Sequence, residues 1–521
     1  MAQFATKTRL PRYLAVEQER IEEIARGYGL DFFPTVFEML PYDQINEVAA
    51  YGGFPTRYPH WRFGMEYEQL AKSTEYGLSK IYELVINNNP AVAYLLEGNS
   101  QTDQKLVMCH VYGHVDFFKN NFSFRSTDLD VTGQVVSPVG GGASYDPDRK
   151  WVDKMANHGS VIRRLIDRHG IERVEELIDY CLSLENLIDP WLPFVVRHRA
   201  DIEDDEGPRE PEVPRMQAKE YMEDFINPVA YIDEQRKKLV KERDEKKGRF
   251  PQERVQDVLG FLVDHAPLEK WERTVLSIVR EEAYYYLPQM QTKIMNEGWA
   301  SYWHSKLMTE KVCDSTEILD YADNNAAVMA TSQGRLNPYK LGVELFRNIE
   351  ERWNRGQFGS EWESIDNLDR KTNWNQRLGL GAQKVFEVRA LYNDVTFIDE
   401  FLTPEFAIEH KLFSFEWSPR NDRYEIASRE FKQVKEKLLT QLTNMGNPML
   451  FVEDANFENR GELLLSHDHR GVDLRLDYCK EAMRALYRLW KRPVVLRSRR
   501  EDKPVLLRYD GKEHGVIDGG A

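Results

Sequence analysis

One segment limits the folds open to this chain more than any other. Residues 271–309 are apolar and aromatic at helical spacing, with AYYYLP and WASYW inside the run. The tyrosines at 284–286 are expected to pack a core. Pro288 lacks the amide hydrogen that a helix interior needs, so it is expected to kink the run or divide it. Beyond the proline, NEGWASYWH (296–304) puts Glu297, Ser301 and His304 at i, i+4 and i+7, on one helix face. An ionised carboxylate in such surroundings needs a cationic partner or a metal ion. The plainer alternatives are a glutamate paired with arginine, or a helix lying at the surface.

Most of the remaining chain also reads as helix. Helical patterns run over 13–30, 66–85, 151–187 and 339–356. Ser100-x-x-Asp103 is a helix start ahead of KLVMCHVYGHVDFF. AVAYLLEGNS, just before it, fits either a strand or a buried helix. VGGGAS (139–144) is a glycine-rich loop without the GK[ST] of a phosphate-binding loop. RADIEDDEGPREPEVPR (199–215) is acidic and proline-rich, as linkers are. From about residue 395 strands alternate with helices in the order ββαββαββ. The expected fold is mainly α: a large helical N-terminal region, plus a small C-terminal α+β domain. The expected divisions are 1–198, 199–215, 216–394 and 395–521.

Acidic residues number 86 against 70 lysines and arginines, a net charge of −16. Such a chain has no general attraction for a phosphate backbone, so nucleic acid is not an expected partner. The four cysteines form no CxxC pair, which argues against a disulfide framework. The N-terminus lacks a signal-peptide apolar stretch, and no window is apolar enough for a membrane span. The expected location is cytoplasmic.

HVYGHVDF (110–117) sets His110 and His114 one helical turn apart. Two imidazoles so placed grip one zinc or iron ion, or else sit in the core bonded to backbone carbonyls. Gly113 between them would let another helix approach closely. HWRFGMEYEQ holds His60, Arg62, Glu66 and Glu68; Arg62 and Glu66 at i, i+4 read first as a helix salt bridge. His158 reads as a turn or capping histidine, and His467 and His469 as a solvated hairpin loop.

NEGWASY closely resembles NEGFASY, the third-ligand motif of gluzincin aminopeptidases. The resemblance implies that His110 and His114 match the two histidines of HExxH and that Glu297 completes a His, His, Glu zinc site. Val111 stands where those peptidases carry the general base, and Glu297 follows His114 at a far greater distance. YPHWRFGMEYE, NPAVAYLLEGNS, VMCHVYGHVDFFKNN, MANHG and NEGWASYWH together resemble the SpoVR family, named for stage V sporulation protein R. That resemblance implies a link to spore cortex formation or to stress response. It also implies a PrkA-type serine kinase and a von Willebrand factor A-like protein as partners.

Three functions follow as expectations. The first is a zinc-dependent hydrolase of a peptide or amide bond, the metal being Zn or another divalent ion such as Fe. Its missing base would be His304, Glu66, Glu68 or Glu97, with His304 and Glu66 as the catalytic candidates; His304 serves equally as a fourth ligand. The second is a non-enzymatic regulator or scaffold with a degenerate peptidase-like fold. The third is a two-iron carboxylate site drawing on Glu66 and Glu282.

Overall fold

The computed structural model describes residues 10–75, 83–128, 149–195, 213, 225, 227–246, 249–330, 336–418, 422–501 and 503–517. The VGGGAS loop lies outside them, as does 199–215 apart from Val213. The protein is mostly helical with a small C-terminal sheet. It divides into two compact units that interleave along the chain: 1–175 with 284–446, and 176–283 with 447–521.

The first unit is built around the Gln101–Asn120 helix. Ser100 caps it, its hydroxyl accepting the Asp103 N–H at 3.1 Å, an interaction worth about 1 kcal/mol. Every residue from Gln104 to Phe118 is buried. A helix buried on all sides lies at the centre of a domain, and its polar side chains there need partners. The run at 271–309 becomes two helices, Lys270–Gln291 and Lys293–Leu307. The break falls at Thr292, whose hydroxyl donates to the Pro288 carbonyl at 2.7 Å. The run is thus divided, but four residues past Pro288, which itself lies inside the Lys270–Gln291 helix.

The Lys293–Leu307 helix is pressed between two others by small residues. A methyl added to Gly113 would lie 2.8 Å from Ala300 Cα of this helix. On the opposite side, one added to Gly298 would lie 2.5 Å from Gly342 Cα of the Pro338–Arg355 helix. The close approach expected at Gly113 is thus found, and a second one accompanies it.

AVAYLLEGNS resolves as a strand. Ala91–Leu96 lies between Thr35–Leu40, parallel to it, and Leu84–Ile86, antiparallel. Ala91, Ala93 and Leu95 face the core containing Val107, Val111 and Trp299. Tyr94, Leu40 and Ile86 face a second cluster with Trp151 and Tyr285. Both faces of the sheet are therefore covered, as the period-two alternation of a strand allows. The helix expected over 66–85 is placed differently: the described helix is Trp61–Glu75, and Leu84–Ile86 is strand. Its β-branched Val85 and Ile86 pair with Ala93 and Val92.

In the second unit five strands run in the order His514–Ile517, Lys503–Tyr509, Val494–Arg500, Glu462–His467, Leu450–Phe457. The Glu462–His467/Val494–Arg500 pair is parallel, and the Leu476–Trp490 helix makes the crossover it requires. The hairpin Ser414–Ser418/Arg423–Ser428 and the Phe431–Leu442 helix, read from sequence as the start of this domain, belong to the first unit. The physical reason is that Phe431, Leu438, Leu439 and Leu442 pack on the first unit's core. His467 closes a strand and bonds Ser498 Oγ at 2.9 Å, so it is not a loop residue.

Asp394 fixes the start of the Lys293–Leu307 helix. Its buried carboxylate accepts the Ile294 and Met295 N–H groups at 2.8 and 2.9 Å. Burial pushes this carboxyl up to about 7, against the pull of those two amides. A folded pKa above the unfolded one gives stability that is complete below pH about 4 and is lost as pH rises through about 7. Urea unfolding of wild type and Asp394→Asn at pH 5 and pH 8 tests this. The wild-type advantage should shrink at pH 8, on the order of 2 kcal/mol. An equal difference at both pH values would refute the assignment.

Candidate metal centre

His110 and His114 project from one face of the Gln101–Asn120 helix toward Glu297 of the Lys293–Leu307 helix. Glu297 Oε2 lies 3.4 Å from His114 Nε2 and 3.7 Å from His110 Nε2. Glu83, immediately before the Leu84–Ile86 strand, completes the group. Its Oε2 is 3.0 Å from His110 Nε2, and its Oε1 4.0 Å from His114 Nε2. One donor atom from each of the four lies within 4.8 Å of every other. Among the described residues this is the one such cluster of three or more.

The ring nitrogens facing away from the cluster are both engaged. His114 Nδ1 lies 2.9 Å from Asn296 Oδ1. His110 Nδ1 lies 2.8 Å from His304 Nδ1, and His304 Nε2 lies 3.1 Å from Asn325 Oδ1. His110 Nε2 and Glu297 Oε2 are buried, and neither makes a hydrogen bond. An unbonded imidazole nitrogen and an unbonded carboxylate oxygen facing one point suit a divalent cation. The histidines are almost wholly buried, but the Glu83 and Glu297 side chains keep 21% and 16% exposure.

The electrostatics agree with this geometry. Burial pushes Glu83 and Glu297 upward, but His110 and His114 outweigh it and hold both below the usual carboxylate range. Burial pulls His114 down, but the facing Glu297 and Glu83 carboxylates prevail and raise it to about 10. His110 is raised too, by Glu83 against burial. Two carboxylates opposite two imidazoliums make a neutral set, and so do two carboxylates with a divalent ion and two neutral imidazoles. Burial and then the charge of His110 hold His304 down at about 3.

Nearly every residue of NEGWASYWH has a task in this arrangement. Asn296 holds His114, and Glu297 faces the cluster. Gly298 and Ala300 permit the two close helix contacts. Trp299 Nε1 donates to the buried Asp116 at 2.8 Å, and Tyr302 Oη to Glu350 at 2.7 Å. His304 backs His110. Asp116 also accepts the Asp31 N–H at 2.7 Å and lies 3.4 Å from Arg389. It thereby ties the histidine helix to three other segments.

Of the residues singled out from sequence, His110, His114 and Glu297 are brought together, with His304 directly behind them. Glu66 is not in the group; it pairs with Arg62 at 3.1 Å on a half-exposed helix face, the salt bridge read from sequence. Glu68 pairs with Lys72, and Glu97 is exposed. Glu282 is buried and is not among the four. Val111 is fully buried in the hydrophobic core. Two residues went unforeseen. One is Glu83, assigned to a helix that does not extend so far. The other is Tyr339, whose hydroxyl donates to Glu83 Oε1 at 3.1 Å. A signal for the first existed: LVI before NNNP is a short β-branched run ending in a turn.

Residues 9–447 match the family described as SpoVR like protein, and residues 448–501 match the SpoVR-like C-terminal domain. The chain belongs to the SpoVR-like family. A SpoVR-like chain therefore carries all four clustered residues within the larger match. It is similar to the uncharacterized protein YcgB of Escherichia coli (strain K12), with 29% identity over 534 residues, spanning 95% of this chain and 93% of that one. No solved structure matches. Among the described residues no helix is long and apolar enough to cross a membrane.

Proposed function

We propose that this SpoVR-like protein is a metal-dependent hydrolase of a peptide or amide bond. His110, His114 and Glu297 hold the ion, and Glu83 acts as the general base. The observation carrying the proposal is the fourth donor: Glu83 brings a second carboxylate to the histidine pair from a separate strand. The residue that follows the first histidine in HExxH is here a core valine, so the base must come from elsewhere in the chain. A divalent ion in this site, Zn or Fe, would lower the pKa of water toward about 7 and polarise a carbonyl. Glu83 then takes the proton from the attacking water as its oxygen adds to the acyl carbon. It returns that proton to the amine as the C–N bond breaks. Tyr339 holds Glu83 Oε1, which leaves Oε2 on the His110 side. Such a substrate would suit the role in spore cortex formation or stress response that the family resemblance implies, with the reaction in the cytoplasm.

The same glutamate favours a second reading. If Glu83 is a permanent fourth ligand, the coordination is closed and the ion is structural. The protein would then be a regulatory scaffold, with the PrkA-type kinase and the von Willebrand factor A-like protein as its partners. Glu83→Gln separates the two. As base, the variant keeps its metal and loses about 100-fold or more in turnover on a library of unstructured peptides read by mass spectrometry. As ligand, it loses metal, and the metal-loaded wild type cleaves nothing. Equal turnover in variant and wild type would remove Glu83 from the mechanism.

A further inference from the structure

We infer that His304 is a positioning residue that selects the metal-binding tautomer of His110 through a relay ending at Asn325. The inference rests on the metal-centre reading above and assigns His304 neither of the roles open to it from sequence, base or fourth ligand. Both of its ring nitrogens are already engaged: Nδ1 with His110 Nδ1 at 2.8 Å and Nε2 with Asn325 Oδ1 at 3.1 Å. A nitrogen so occupied has no lone pair to offer an ion.

The direction of each bond follows from the acceptor at the end of the chain. Asn325 Oδ1 only accepts, so His304 carries its proton on Nε2. His304 Nδ1 is then the bare nitrogen and must accept, so His110 carries a proton on Nδ1. That leaves the lone pair of His110 on Nε2, the atom facing Glu83 and Glu297. His114 reaches the same state by a shorter route, donating from Nδ1 to Asn296 Oδ1. Both imidazoles thus present Nε2 to one point. The outer partners that impose this come from two helices, Lys293–Leu307 and Ile318–Val328.

Ligating histidines are commonly oriented by a carboxylate or a backbone carbonyl. A carboxylate draws the imidazole toward imidazolate and adds negative charge. A neutral imidazole supplies the same acceptor without that charge, in a place where two carboxylates already face one ion. The relay therefore sets direction and tautomer while leaving the charge of the centre unchanged.

The test uses the full-length protein, zinc titration and nitrogen-15 NMR of labelled histidine. A scalar coupling between the two Nδ1 atoms across the N–H···N bond is expected in wild type. His304→Leu should lose that coupling and weaken zinc binding by about 10- to 100-fold, as loss of outer partners does. His304→Gln can both accept from His110 and donate to Asn325, so it should restore most of the affinity. Circular dichroism identifies any variant that fails to fold, and Asn325→Leu supplies a second break in the relay outside the cluster. Unchanged affinity in folded His304→Leu and Asn325→Leu overturns the inference, as does a folded His304→Gln no better than His304→Leu. A wild type that shows the coupling but takes up neither zinc nor ferrous iron overturns the metal centre itself, and with it the claim that the tautomer serves an ion.

Discussion

His110→Ala should leave the purified protein without stoichiometric metal. Outer partners of a ligand are worth about 10- to 100-fold in affinity, so loss of the ligand itself should exceed about 100-fold. The substitution has a second consequence. In the absence of an ion, His110 is also the main positive neighbour of Glu83, and its Nε2 lies 3.7 Å from Glu297 Oε2. Its removal leaves two carboxylates facing one another with His114 as the remaining cation of the cluster. The variant should therefore unfold more easily even in chelator, where loss of metal cannot be the cause. Elemental analysis and thermal unfolding with and without chelator read the two effects separately. Full metal content in His110→Ala would take that residue out of the ligand set.

Gly298→Ala should be nearly as damaging, although it adds a single methyl group. The new Cβ would sit 2.5 Å from both Cα and the carbonyl carbon of Gly342, and backbone cannot move aside as a flexible side chain can. The Lys293–Leu307 and Pro338–Arg355 helices would have to separate. We expect a cost on the order of 3 kcal/mol, at the upper end for overpacking. Glu297 precedes this contact and Tyr339 lies on the helix that must retreat, so zinc affinity should fall as well. Gly64→Ala is the control: nothing lies within 4 Å of its added methyl, so that substitution should be neutral or stabilising by up to about 1 kcal/mol. Urea unfolding of the two variants decides the matter. Similar midpoints would show that the helix contact yields more readily than its geometry implies.

The positions at which sequence reading succeeded and failed have separate physical causes. Ser100 was legible as a cap because capping is local: its hydroxyl reaches an amide three residues along the same chain. A break was expected at Pro288 because proline removes a donor, yet the helix passes through it and ends only at Gln291. Glu83 was not legible as a cluster member, because a helical pattern was carried across a stretch whose end is strand. The strand pairing with Ala91–Leu96 is local, but the approach of Glu83 to His110 and to Tyr339 joins segments far apart in the chain. Tyr339 had no local signal at all; it reaches Glu83 across 256 positions of chain.

By itself the sequence determined that the chain is mostly helical, that it ends in a small sheet region, and that it carries two histidines on one helix and a glutamate on another in apolar surroundings. These follow from periodicity, turn residues and the cost of burying charge, all of which act over a few residues. Only the tertiary structure decided that Glu83 joins them, that His304 stands behind rather than within the group, and that 176–283 folds with 447–521. Each of those facts depends on which surfaces meet. That was settled by contacts as small as Gly113 against Ala300 and Gly298 against Gly342, where the absence of a side chain lets distant backbones touch.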